Sequence, residues 1–403
     1  RILIGPWYVM PDEFLVSGEA LIRNLALGHR IASEYDTQAW KFGYVCDIFG
    51  HIAQFPQILA GFGISYALLG RGTNEETTDR YFLWEAPDGT RAITLKLRDW
   101  YGYGDFNMSV FGFEDLRVDE ATFKERAKRY IDELRSTTDQ PVLFLMDGID
   151  HAPIHSQTSE FLRWIRELYP DSEVHHTNLQ AAGQALEPYR SELQVKRGEL
   201  VEPTKEVAPY SHLITNTLSS YYPLKRWNDE LQTMLEAVVA PILAVERGDG
   251  GGTFDLQPYE DLAWRTLLKN HPHDSIGGCS IARVHTDMEY RFAQVEDLCT
   301  EITNEFLERD ARRRRGNVPA AIYYTEPVES ENAHVAIRLF NPLPYERDEV
   351  MSLSIDLPAG FAPTFAEPFG YEAKPRILLR DSDGTERAYR LTKLEKNVLK
   401  RTF

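Results

Sequence analysis

The sequence predicts an α/β fold on a parallel sheet, then a three-helix bundle, then the opening of an all-β domain. Three observations predict it. Short apolar runs alternate with helical segments over residues 1–200. Long apolar stripes step by three or four over 205–315. From 318 onward the period falls towards two.

The first region carries strand-length runs at Phe42–Cys46, Tyr66–Leu69, Ala92–Leu97 and Val142–Met146. Continuous apolar strands separated by helices indicate a parallel sheet covered on both faces, either a barrel or doubly wound. Ala121–Leu134 is a helix candidate, with Phe123, Ala127, Tyr130, Ile131 and Leu134 on one face. In the second region one stripe runs through Trp227, Leu231, Met234, Leu235, Val238, Ile242 and Val245. Another runs through Val284, Met288, Phe292, Val295, Ile302 and Phe306, with a shorter helix near Pro258–Leu268 between them. These stripes are bundle core, and they leave a homo-oligomer open. Gly248–Gly252 supplies a loop. In the third region, His334–Phe340 and Met351–Leu357 read as strands around the turn Asn341-Pro342-Leu343-Pro344. The chain opens on Arg1-Ile2-Leu3-Ile4, like the middle of a strand, and stops at Phe403 without a closing element. Both ends are therefore expected to be missing.

With 43% hydrophobic and 26% charged residues the balance is globular, and 403 residues suffice for two or three domains. A formal net charge of −18 argues against a nucleic-acid partner. Arg312-Arg313-Arg314-Arg315, the one basic block, reads as the solvated end of a helix. No apolar run approaches the roughly 20 residues that span a bilayer. Cys46, Cys279 and Cys299 are sparse, odd in number and without zinc-finger spacing, which suits free thiols in a reducing, cytoplasmic compartment.

Chemistry is expected at the carboxyl ends of the strands. The first run leads into Asp47, the second into Gly70-Arg71-Gly72, the fourth into Asp147-Gly148-Ile149-Asp150-His151. Two carboxylates and an arginine on one rim suit glycosidic cleavage, where one carboxylate meets the anomeric carbon and the other protonates the leaving oxygen. Each has a plainer reading. Asp47 could cap a helix beginning near Phe49, Arg71 could be a surface residue of a glycine turn, and Asp147 and Asp150 could be turn formers. His271-Pro272-His273-Asp274-Ser275 is a further polar cluster. It could reach the sheet as a metal-ligand set, or Asp274 and Ser275 could cap the next helix with both histidines on the surface. Trp7, Tyr8, Trp100, Tyr101 and Tyr103 suit sugar stacking or core packing about equally.

Gly5-Pro6-Trp7-Tyr8-Val9-Met10-Pro11-Asp12-Glu13-Phe14, Asp47-Ile48-Phe49-Gly50-His51, Gly70-Arg71-Gly72 and the run His271–Ser280 occur in an order that resembles glycoside hydrolase family 38. These are the α-mannosidases, including bacterial mannosylglycerate hydrolases; Phe340–Pro344 resembles the opening of the family's β domains. The resemblance implies a barrel-like β/α catalytic domain, incomplete at its N-terminus, in a retaining enzyme with one Zn²⁺ that cleaves terminal α-mannosides. It implies Asp47 as nucleophile and metal ligand, Asp150 as general acid and base, and His273 as the bundle's metal ligand. Arg71 matches the arginine beside the nucleophile, Asp274 a sugar-hydroxyl contact, and His51 is a candidate for support behind the metal. Two departures stand out. The family's His-x-His-x-Asp run, source of two further zinc ligands, does not occur, and Ser219-Ser220 is followed by Tyr221 where an arginine is expected. Alternatives from other classes are metal-dependent deacetylation with a metal-activated water, and a non-catalytic carbohydrate-binding remnant.

Overall fold

The computed structural model describes residues 2–98, 104–111, 117–148, 155–203, 213–248, 255–315, 337, 339–353 and 378–390. The chain divides into two units, Arg1–Asp310 and Ala311–Phe403.

The described residues of the first unit form a five-stranded sheet: β1 (Gly43–Val45), β2 (Tyr66–Leu69), β3 (Tyr81–Glu85), β4 (Arg91–Lys96) and β5 (Gln194–Arg197), in the order β1-β2-β4-β3-β5. β1–β2, β2–β4 and β3–β5 pair in parallel. β3 and β4 pair antiparallel across a tight turn, where Ala86 N–H donates to Thr90 O and Gly89 takes a positive φ of 86°. The α/β class holds, with this hairpin as the one antiparallel pair among the described strands. Side chains alternate across the sheet as its period of two requires. Tyr81, Leu83, Ile93 and Leu95 join one core cluster, while Val45, Ala67, Leu69, Phe82 and Trp84 join another. Val142–Met146, expected as a strand, makes no ladder, yet it keeps a strand's alternation. Val142, Phe144 and Met146 pack into the sheet cluster, and Leu143 and Leu145 into a helical one.

Among the helices, α1 (Gly18–Glu34) packs into the bundle core, α2 (Phe55–Gly61) packs against the sheet, α3 (Asp105–Phe111), α4 (Glu120–Arg135) and α5 (Thr158–Leu168) pack on one another, and α6 (Leu179–Ala185) packs against the sheet. α4 starts where Asp119 accepts from Thr122 N–H, and it buries all five expected residues. α1 starts on the Ser17 cap and runs so close to the strand-like entry segment that a Cβ on Gly28 would lie 2.1 Å from the Pro6 carbonyl. Ile2, Leu3 and Ile4 are exposed and lie in no strand; Ile4 O accepts one backbone hydrogen bond from Trp40.

The expected three helices of the bundle are present. α7 (Tyr222–Met234) continues through a π-turn (Leu235–Val239) into α8 (Ala240–Gly248), and α9 (Gln257–Leu268), the short α10 (His273–Gly277) and α11 (Ala282–Arg315) follow. The π-turn corrects the first stripe. An i→i+5 turn inserts one residue, so past Leu235 the buried positions are Val239, Leu243 and Glu246 together with the expected Ile242, whereas Val238 is half-buried and Val245 is exposed. The resulting core holds Leu231, Leu235, Val239, Leu243, Leu267, Met288, Phe292, Val295 and Ile302, and α1 contributes Ala20 and Leu27. The glycine loop at 249–252 lies outside the described residues.

In the second unit α11 runs through Arg315. Asn341 closes the expected turn, its Oδ1 accepting from Leu343 N–H and its Nδ2 donating to Tyr345 O. Arg380 and Glu386 form one antiparallel bridge. Most of the two expected strands lies outside the described residues; 337, 339, 340 and 351–353 carry no ladder.

Candidate active site

β1 ends at Val45, in register with Leu69 of β2. The two strand ends then approach so closely that a Cβ on Gly70 would lie 1.9 Å from Cys46 O. Gly72, at φ 89°, passes under Leu200 O, which a Cβ there would meet at 2.5 Å. Arg71 is held between these two contacts and turned towards Asp47. Its Nε and Nη2 donate to Asp47 Oδ1 at 2.8 and 2.7 Å. No helix begins at Phe49, so Asp47 is not a cap.

The other carboxylate oxygen, Oδ2, faces His273 Nε2 at 3.7 Å, too long for a hydrogen bond. His273 opens α10 and comes from the bundle. Its backbone N–H and its Nδ1 both meet Met10 O, at 3.0 and 3.2 Å, so Nδ1 carries the proton and Nε2 points at Asp47. Phe49 packs edge-on against the imidazole, and the Arg71 guanidinium lies over the Phe49 ring. Partial burial pushes the Asp47 carboxyl up, but the facing imidazole and Arg71 outweigh it and hold it below its ordinary value. Burial likewise disfavours protonated His273, yet Asp47, Asp274 and the Met10 carbonyl together raise it.

Asp274 lies beside this pair, with Oδ1 3.9 Å from His273 Nε2 and accepting from the Cys279 thiol at 3.0 Å; its side chain is largely exposed. His271 is fully buried, its Nε2 bonded to Asn228 Oδ1 at 2.8 Å. The surface reading of the two histidines therefore fails. His51 does not line the site. It is fully buried, its Nδ1 bonded to Glu13 Oε1 at 2.8 Å, and it packs on Phe55 and Trp84. Trp7 stacks on Phe55 within the core, with no partner for its indole N–H. Asp147 Oδ1 accepts from Asn107. Asp150, Trp100, Tyr101 and Tyr103 lie outside the described residues.

Sequence reasoning assigned no role to the segment that assembles the site. Met10 orients His273, and Pro11 bridges Pro272. Glu13 takes both His51 Nδ1 and Ile52 N–H, which fastens the loop after Asp47. Asp12 lies between them, buried; that burial, with the Glu13 charge, pushes its carboxyl up to about 6 against the pull of Phe14 N–H. Lys225 is nearly buried on α7 and donates to the carbonyls of Ser220 and, at 3.4 Å, Gly277, tying α10 to the bundle. The segment's place in the motif Gly5–Phe14, and two adjacent acids outside any periodic pattern, were the signals in the sequence.

Zinc takes donors at about 2.0–2.3 Å, so two on one tetrahedral ion lie roughly 3.3 Å apart. Asp47 Oδ2 and His273 Nε2, at 3.7 Å, fit in kind, tautomer and spacing. They supply two donors. Among the described residues no group of three or more His, Cys, Asp or Glu is placed to hold a metal ion.

Residues 1–212 match the glycosyl hydrolases family 38 N-terminal domain, and 212–309 the alpha mannosidase middle domain. A putative mannosylglycerate hydrolase from Halalkalibacterium halodurans is 35% identical over 73% of this chain and 33% of its own. Alpha-mannosidase 2C1 from Mus musculus is 25% identical over 95% of this chain and 34% of its own. The crystal structure of an alpha-mannosidase from Enterococcus faecalis superposes with a TM-score of 0.67 at 28% identity, covering 77% of this chain and 34% of that one. The chain thus spans about a third of the length of the curated relatives it matches.

Proposed function

Since the chain belongs to glycosyl hydrolase family 38, we propose that its protein hydrolyses terminal α-mannosides with retention of configuration. The observation that carries this reading is the asymmetry of Asp47. Arg71 occupies Oδ1 with two donors, while Oδ2 faces His273. A carboxylate held ionised by an arginine can attack the anomeric carbon. The C1–O bond to the leaving group then breaks as the C1–O bond to Asp47 forms, and the leaving oxygen takes a proton from a second acid. Asp150 is assigned that role by its position in Gly148-Ile149-Asp150. In the second half-reaction water, losing its proton to the same residue, displaces Asp47.

Zinc is the proposed cofactor, held in part by Asp47 and His273, and when bound it would supply a Lewis acid that grips sugar hydroxyls. Arg71 keeps Asp47 ionised, Met10 O keeps the His273 proton on Nδ1, and Glu13 holds the Asp47 loop through His51 and Ile52. A cytoplasmic location is proposed on the sparse cysteines, none of which is in a disulfide.

Proton NMR of the first-formed product from an aryl α-mannoside tests the mechanism. α-Mannose is expected first; β-mannose would overturn the retaining reading, and no turnover by the metal-loaded protein would leave a carbohydrate-binding role. The resemblance to the 35% identical relative favours a second substrate, mannosylglycerate. A higher kcat/KM for it than for simple mannosides would decide in its favour.

A further inference from the structure

The proposed reaction makes no use of Cys279, which follows α10 in the bundle loop that carries His273. It is exposed, whereas Cys46 and Cys299 are buried, and none of the three is in a disulfide. Its thiol donates to Asp274 Oδ1 at 3.0 Å. Among the described residues no other donor lies within hydrogen-bond distance of that carboxylate; His273 Nε2 stands 3.9 Å away.

The backbone around the thiol is fixed on several sides. α10 ends on Gly278 at φ 79°, where a Cβ would lie 2.8 Å from Ser220 Oγ, and that hydroxyl donates to Gly278 O at 3.2 Å. From α7, Lys225 Nζ donates to the carbonyls of Ser220 and Gly277. The N–H groups of Cys279 and Ser280 both return to Asp274 O, at 3.2 and 3.1 Å. The loop therefore closes on the residue that the thiol also meets. Asp274 is the one loosely held part, with 61% of its side chain exposed. An exposed carboxylate changes rotamer within nanoseconds unless a donor holds it.

Burial, and with it the Asp274 carboxylate, pushes the Cys279 thiol up to about 12. It thus stays protonated at neutral pH, a poor nucleophile but a constant donor. Asp274 in turn borders the reacting pair, because His273 Nε2 lies between its Oδ1 at 3.9 Å and Asp47 Oδ2 at 3.7 Å. We propose that Cys279 is a positioning residue: its thiol fixes the Asp274 carboxylate where it accepts a hydroxyl of the sugar held at Asp47, a role that rests on the mannosidase reading above. A hydroxyl at position 279 can serve in its place, and a methyl group cannot.

The test uses the zinc-loaded intact protein with an aryl α-mannoside and its monodeoxy analogues. Asp274→Ala identifies the hydroxyl that Asp274 meets, since only the analogue lacking it is turned over equally by parent and variant. Cys279→Ala is expected to lower kcat/KM about fivefold or more on the full mannoside, and by less than about twofold on that analogue. Cys279→Ser, which restores a donor, should come within about twofold of the parent on the full mannoside. A merely structural role would lower all substrates alike. Such a uniform loss, no loss in Cys279→Ala, no recovery in Cys279→Ser, or no analogue singled out by Asp274→Ala would overturn the role of Cys279 and leave the mannosidase reading standing. No turnover of any mannoside by the parent would overturn that reading, and the role of Cys279 with it.

Discussion

Glu13→Ala tests whether the segment around Pro11 builds the site. Glu13 is 2% exposed and accepts two hydrogen bonds, from His51 Nδ1 at 2.8 Å and Ile52 N–H at 3.0 Å. Truncation leaves both donors buried and unpaired. His51 would then lack a partner at either nitrogen, because its Nε2 already has none. Hydrogen bonds to a charged group are worth about 1.5–3 kcal/mol each, and breaking a buried pair costs about 3–5 kcal/mol. The expected loss is therefore about 3–5 kcal/mol, or roughly 6–10 °C in Tm for a unit of this size. Glu13→Gln keeps one acceptor and should lose about half as much. Differential scanning calorimetry measures both, and activity should fall with the Asp47 loop loosened. A Glu13→Ala protein within about 1 kcal/mol of the parent would refute the reasoning.

Arg71→Met should lower kcat/KM about 100-fold or more by removing the donors that fix Asp47, read in steady-state kinetics; a loss under about threefold would contradict its role. Gly70→Ala should cost about 3 kcal/mol in a urea titration and most of the activity, because its Cβ meets the Cys46 carbonyl. His271, with its pKa pushed down to about 3 by burial, is neutral in the fold. Its contribution is complete above about pH 6.5 and is lost at about 1.4 kcal/mol per unit as pH falls towards 3. Stability should thus drop by about 2 kcal/mol between pH 7 and 5, and this component should vanish in His271→Gln.

Periodic segments were the most legible part of the chain. All five apolar positions of α4 and all of the second bundle stripe but Val284 are buried as expected, since a helix burying one face must repeat every 3.6 residues. The phase slip after Leu235 was not legible, because nothing in Leu235-Glu236-Ala237-Val238-Val239 marks a π-turn. β3 was overlooked although Asp88-Gly89 signalled its hairpin. Asp47, Arg71 and His273 were identified and do converge, since strand ends and a bundle loop bring them to one place. His51 and Trp7 share motifs with those residues but face the core. Which way a motif residue points depends on packing partners remote in sequence, such as Glu13 and Phe55.

The measurement that bears most directly on Asp47 is covalent trapping. Incubation of the zinc-loaded intact protein with a fluorinated α-mannoside, followed by peptide mass spectrometry, should find the sugar esterified to the peptide carrying Asp47, with none in Asp47→Ala. Turnover without any labelled peptide, or a label on another carboxylate, would contradict the account.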